Sequence, residues 1–216
     1  MKKAKISHNV ILRLPRYLRF LEDLKDSSVV RISSGELGRL MGITASQIRQ
    51  DFSCFGEFGQ QGYGYNVEML MKEIGEILGI DKGRTAIVIG TGNLGRAIIG
   101  KFPFDSFGVT LTGIFDVAPD LVGSDVFGRT VRHSDTIEDF VRENNTDIAI
   151  LTMPGSFAKT VAGRLSDAGI KGIWNFTHAD LKSTGNVRVQ SVHFSDSLLV
   201  LNYYLSNENL EEPDKN

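Results

Sequence analysis

Residues 85–100, TAIVIGTGNLGRAIIG, admit few folds. An apolar run from Ala86 to Ile89 enters Gly90-x-Gly92-x-x-Gly95, and small and apolar residues follow. That order predicts a strand, a tight glycine turn and a helix whose unpaired N–H groups are placed to hold a pyrophosphate. Asp116 closes the next apolar run, VTLTGIFD, 21 residues beyond Gly95. A carboxylate there accepts hydrogen bonds from an adenosine ribose and repels a 2′-phosphate, which favours NAD over NADP. A third run ends in Thr152, Met153 and Pro154, at the edge where such a cofactor crosses the sheet. The candidate dinucleotide-binding residues are Gly90, Thr91, Gly92, Asn93, Leu94, Gly95, Asp116, Thr152, Met153 and Pro154. Glycines that merely close a strand–helix turn are the competing reading, and they would need no acid at position 116.

From residue 84 onward apolar strands alternate with helical segments. Strands are expected at Thr85–Gly90, Val109–Asp116, Asp147–Thr152, Gly172–Asn175 and Val187–His193, with helices near Leu94–Lys101, Thr136–Asn144 and Ser156–Ala168. Such alternation predicts an α/β fold, a Rossmann-type doubly wound parallel sheet. It spans 81–194, and 195–216 follow as a separate C-terminal helix and tail. That helix, SDSLLVLNYYLSN, is apolar at Leu198, Leu199, Leu201, Tyr204 and Leu205, more than a domain edge needs, so it is expected to pack on another domain or chain.

Residues 1–80 read as a separate helical domain. Ile11, Leu14, Leu18 and Leu21 form a helical stripe, with Pro15 either opening or kinking the helix. Ser33 with Glu36 fits a capping box, as does Thr44 with Gln47. Two short helices thus start eleven residues apart with Gly42 between them, the spacing of a helix-turn-helix. On the second, Ala45, Ile48 and Phe52 share one face, while Ser46, Arg49, Gln50 and Ser53 share the other. A short, polar, cationic face suits entry into a DNA major groove. The glycine-dense FGEFGQQGYGYN that follows reads as a two-stranded wing. Candidate DNA-facing residues are Ser33, Ser34, Thr44, Ser46, Gln47, Arg49 and Gln50, with Gln61 and Gly62 on the wing. An ordinary helical hairpin and loop is the bland alternative.

Charge supports the division. The net charge of −2 conceals ten Lys and Arg against six Asp and Glu in residues 1–65, and fourteen against twenty thereafter. A basic head on an acidic body points to a polyanionic partner. The single cysteine, Cys54, forbids an internal disulfide framework and suits a reducing compartment. Arginines break the N-terminal apolar pattern, which lacks a signal-peptide core. No apolar run approaches the ~20 residues of a membrane span, so a cytoplasmic protein is expected.

Hydride-transfer enzymes need a group that handles the alcohol proton and a partner that orients it. His8 lies in the basic head, and His133 and His193 fall at strand edges. His178, after the strand end WNF, is the one candidate base. Little chain is left for a substrate domain, and no cysteine or histidine cluster has metal-ligand spacing. The expectation is a protein that is not an enzyme. The alternatives are an NAD-dependent oxidoreductase with a helical appendage, and a dinucleotide-binding module that recruits a protein through its head.

The chain resembles the Rex family of redox-sensing transcriptional repressors over roughly residues 6–206. The resemblance is carried by SSGELGRLMGITASQIRQDFSCFGEFGQQGYGY, GTGNLG, FDVAPDLVG and IKGIWNF. It implies a homodimer, joined through the Rossmann domain and swapped C-terminal helices, whose winged-helix heads grip a palindromic double-stranded operator. NADH binds tightly and releases the DNA, and NAD competes with it. Gly90 to Gly95 then match the pyrophosphate loop, Asp116 the ribose acid, and Arg49 the recognition-helix arginine. Arg19 matches an arginine that pairs with an aspartate of the swapped helix, here Asp196. The chain departs from the family at Gln50 and Gln61, where cations are usual. It also has Lys101, beside Phe102, where a tyrosine lies near the nicotinamide, and Thr177-His178 in place of Ala-Pro.

Overall fold

The computed structural model describes residues 6–56, 63–183 and 185–207. They divide into two compact units, with the break between Asp81 and Lys82.

In the first unit α1 (His8–Asp26) starts at the N-cap Ser7 and runs through Pro15, so of the two readings the proline does not open it. Val10, Leu14, Tyr17, Leu18 and Leu21 are its buried residues; Ile11, expected inside, is exposed. β1 (Arg31–Ile32) leads into α2 (Ser34–Met41), then α3 (Ala45–Ser53), β2 (Tyr65–Asn66) and α4 (Val67–Leu78). The Ser33–Glu36 capping box forms in full, and Gly42 ends α2 in the left-handed conformation. Thr44 caps α3 by accepting from the Gln47 N–H at 3.1 Å. The Gln47 side chain does not return to Thr44, so this second box is only half made. β1 and β2 pair antiparallel, Ile32 opposite Tyr65, so the strand that ends the expected wing segment pairs with residues before α2. Residues 57–62 of that segment, Gln61 and Gly62 among them, lie outside the described residues.

The second unit is a seven-stranded sheet of β3 (Arg84–Ile89), β4 (Val109–Asp116), β5 (Asp125–Val126), β6 (Arg129–His133), β7 (Ile148–Leu151), β8 (Gly172–Asn175) and β9 (Arg188–Ser191), in the order β5-β6-β4-β3-β7-β8-β9. Six strands are parallel and β5 is antiparallel at the edge. The chain moves one way from β3 through β4 to β6 and the other way from β7 to β9, which makes β3 the switch point of a doubly wound sheet. Alternate residues of β3 feed opposite cores. Ala86 and Val88 pack with Ile98 and Ile99 of α5 (Asn93–Lys101). Ile87 and Ile89 pack with α6 (Ile137–Asn144) and α7 (Ala158–Ala168). At the sheet edge away from the glycine turn, Asp147 accepts from the Thr85 N–H at 3.1 Å and from Lys171 Nζ at 2.7 Å, tying β3, β7 and β8 together.

The hairpin β5–β6 was not expected. It turns through Phe127 and Gly128, both at positive φ, and only Val126 and Val131 of its strands are buried. α8 (Phe194–Ser206) ends the unit with no buried residue; Leu199 and Leu205 are each 64% exposed.

Candidate dinucleotide and nucleic-acid sites

The glycine turn is shaped by backbone crowding. Gly90 sits at φ 99°, and a Cβ there would lie 2.8 Å from the Met153 nitrogen. A Cβ on Gly95 would meet the Gly90 carbonyl oxygen at 1.9 Å. Thr152 completes the junction: its hydroxyl donates to the Gly90 carbonyl at 2.7 Å. Gly92, the N-cap of α5, differs. A Cβ there would touch nothing within 4 Å, and no side chain caps the helix. The helix thus starts at two exposed residues, Gly92 and Asn93, with Leu94 half-buried and Gly95 buried behind them. An uncapped helix start of this kind is the arrangement that accepts a pyrophosphate.

Asp116 stands at the C-terminal end of β4 beside this turn. One oxygen accepts from the Thr91 N–H at 2.6 Å and the Thr91 hydroxyl at 2.8 Å, and the other from the Val117 and Ala118 N–H groups. Burial pushes this carboxyl up, but the hydrogen bonds from Thr91, Ala118 and Val117 outweigh it and hold the group below the ordinary range. An ionised carboxylate is thus fixed at the sheet edge. Thr91 is buried, and its hydroxyl serves Asp116 rather than facing the crevice. His133, at the end of β6, is the register partner of Asp116.

On the other side of the switch point, Met153 is half-buried and Pro154 exposed. A Cβ on Gly155 would lie 3.2 Å from the Ala179 nitrogen, so the loops after β7 and β8 meet. Asn175 sets the second loop: its carbonyl accepts from the Thr177 N–H and hydroxyl, and its amide donates to the Ala179 carbonyl. His178 is exposed and makes no hydrogen bond or ion pair among the described residues, so nothing orients it as a base. Phe102, at the end of α5, packs against Phe104, Phe107 and Trp174. Trp174 meets Phe176, and Phe176 meets Phe194 at the start of α8. No pattern in the sequence announced this run of rings; Lys101 beside it is exposed.

In the first unit, Ser46, Arg49 and Gln50 are exposed on α3, with Ile48 and Phe52 buried behind them. Arg49 is braced: Nη1 donates to the Ser34 hydroxyl of α2 at 3.0 Å. Ser33 and Thr44 are exposed at the N-termini of α2 and α3. Gln47 belongs elsewhere, since its amide donates to Asp51 at 2.8 Å. Asp51 has no exposed surface, although a carboxylate on a short polar helix reads as a solvated one. Arg19 is exposed in the first unit and Asp196 in the second.

Residues 5–53 match a family described as "Putative DNA-binding protein N-terminus", and residues 81–179 match the "CoA binding domain". The chain is similar to the redox-sensing transcriptional repressor Rex of Thermoanaerobacter pseudethanolicus, 51% identical over 97% of this chain and 93% of that protein. It is 46% identical to that of Caldicellulosiruptor saccharolyticus over 99% of this chain and 97% of the other. Among solved structures, the repressor RSP in complex with NAD+ and operator DNA superposes with a TM-score of 0.90, at 50% identity over 95% of this chain and 94% of that one. RSP in complex with NADH gives 0.87 at 47% identity, covering 95% and 96%.

Proposed function

Because the chain belongs to the Rex family of redox-sensing transcriptional repressors, we propose that it holds double-stranded operator DNA as a cytoplasmic homodimer and releases it when NADH replaces NAD. The observation that carries this reading is one chain with two finished sites. A capped helix-turn-helix presents a braced arginine, and a glycine turn at a sheet switch point presents unpaired N–H groups. The solved relatives support the sign, since the one with operator DNA carries NAD+ and another carries NADH.

The pyrophosphate rests on the N–H groups of Asn93, Leu94 and Gly95, with the adenosine ribose at Asp116 and the nicotinamide toward Met153, Pro154 and Lys101. Coenzyme A shares the adenosine and pyrophosphate, which accounts for the likeness of residues 81–179 to its binding domain. It adds a ribose phosphate that the fixed charge of Asp116 repels. The exposed apolar α8 supplies the dimer contact with the Rossmann domain of a second copy.

Operator selection from random DNA, repeated with NADH and with NAD, tests the whole reading; identical retention in both arms sinks it. Arg49→Ala is expected to cost about 1–3 kcal/mol of operator affinity. Gln50→Lys is expected to tighten binding and steepen its salt dependence, because it adds a cation beside the phosphates. An Arg49→Ala protein that binds the selected operator like the parent would remove α3 from the groove. For the cofactor, Asp116→Ala is expected to weaken NADH and narrow its advantage over NADPH. Thr91→Val, which removes only a bond to Asp116, is expected to weaken both equally. Fluorescence titration reads both, and unchanged selectivity in Asp116→Ala would remove it as the ribose acid.

A further inference from the structure

α1 reaches both helices of the helix-turn-helix with charged side chains. Arg16 Nη2 donates to the Met41 carbonyl at the end of α2. Arg13 reaches α3, where Nε and Nη2 meet the two oxygens of Asp51 at 2.6 and 2.8 Å. The Tyr17 hydroxyl donates to Asp51 Oδ2 at 2.8 Å and the Gln47 amide to Oδ1 at 2.8 Å. Asp51 thus meets four donors, all from within its own unit. Burial pushes its pKa up, but the hydrogen bonds from Arg13, Tyr17 and Gln47 prevail and keep it charged.

Stability alone does not call for this arrangement. Apolar residues of similar volume often stabilise a core as well as a buried ion pair or better. A two-pronged Arg–carboxylate pair does add direction, because both hydrogen bonds hold in only one relative placement. Around Asp51 that placement fixes the rotation of α3 about its axis and its position along α1. It thereby fixes where Ser46, Arg49 and Gln50 stand.

We propose that Asp51 is a positioning residue for operator recognition, acting on DNA only through the orientation of α3, with Arg13, Tyr17 and Gln47 as its struts. This rests on the reading that α3 faces the operator. It moves Gln47, placed among the DNA contacts by its sequence position, to the inside of the machinery. It also gives the arginines at positions 13, 16 and 19 separate tasks. Arg13 grips α3 and Arg16 grips α2, so a displacement of α1 carries both helices together, while Arg19 stays exposed.

The test is the full-length double variant Arg13→Met with Asp51→Leu, which removes both buried charges at once. Its NADH affinity, set in the other unit, is expected to be unchanged. Affinity for a random duplex is expected to stay within about twofold, because the exposed cations that meet phosphates remain. Operator affinity is expected to fall about tenfold or more, since a rotated helix mismatches several base pairs. An unchanged operator-to-random ratio overturns the proposal. Should the head of the double variant unfold, Gln47→Leu decides, because it removes one strut and leaves the Arg13–Asp51 pair. Its loss is expected to spread over all half-site positions in a panel of base substitutions; a loss confined to one base pair makes Gln47 a reader and overturns the proposal. Arg49→Ala separates the two levels. If it loses operator while the double variant does not, positioning fails and the groove assignment stands; if neither loses it, the groove assignment itself fails.

Discussion

A Gly95→Ala protein is expected to keep its operator and lose its response to NADH. The added Cβ would lie 1.9 Å from the Gly90 carbonyl oxygen and 2.9 Å from the Thr152 hydroxyl. Neither neighbour can yield easily. Gly90 is itself pinned at φ 99° against Met153, and its N–H is bonded to the Phe115 carbonyl. The start of α5 must therefore shift outward, and the N–H groups that receive the pyrophosphate move with it. NADH affinity is expected to fall about 100-fold, the equivalent of about 3 kcal/mol. A Cβ at Gly92 meets only open space, so Gly92→Ala should melt like the parent while its methyl occupies the room the pyrophosphate needs. The pair separates a damaged fold from a blocked site. Gly95→Ala lowers both the melting temperature of the second unit and NADH affinity, whereas Gly92→Ala lowers only the second. Parent-like NADH titrations for both would remove the glycine turn from the cofactor site.

Much of this site was legible because its constraints are backbone constraints. Three glycines at fixed spacing, an apolar run before them and an acid at position 116 leave one arrangement of strand, turn and helix, and the structure has it. The hairpin β5–β6 was hidden for the opposite reason. Its strands bury only two side chains, and its turn puts Phe127, a residue with a Cβ, at φ 52°, so neither alternation nor turn composition marks it. Of the two readings that Pro15 allowed, opening the helix is not the one found: the start is set instead by Ser7, and the helix runs through Pro15. Asp51 could not be read from α3 alone. Its partners stand on α1: Arg13 and Tyr17, four residues apart beside the apolar stripe, both donate to it. The run from Phe102 through Trp174 to Phe194 joins residues distant in sequence, and only the parallel order of β3, β7 and β8 brings them together.

NADH is expected to release the operator and NAD to leave it bound. A ligand shifts a two-state equilibrium only by its difference in affinity for the two states. Preference for the DNA-incompetent form by about 100-fold at each of two sites multiplies to about 10⁴, or about 5.5 kcal/mol, which inverts a 99:1 population. The two cofactors differ by one positive charge on the nicotinamide ring, so the receiver must be a charge placed near that ring. Asp196 fits. It lies in the first turn of α8, exposed, two residues after Phe194, and the chain of rings from Phe102 ties the end of the dinucleotide helix to that same turn. On the function proposed above, a cationic ring is expected to compete with Arg19 for Asp196 and so to leave the operator-binding form in place. A neutral ring is expected to leave Asp196 to Arg19, and that pairing to favour release. Asp196→Ala is therefore expected to bind NADH nearly as the parent does and to release operator only weakly in response. Arg19→Ala should behave alike, and the double variant no worse than either single one, because both act through one pair. Trp174, the only tryptophan in the chain, lies inside the ring chain and gives the cofactor-binding readout without a label. The outcome that sinks this coupling is an Asp196→Ala protein that still releases operator with NADH, and holds it with NAD, as sharply as the parent.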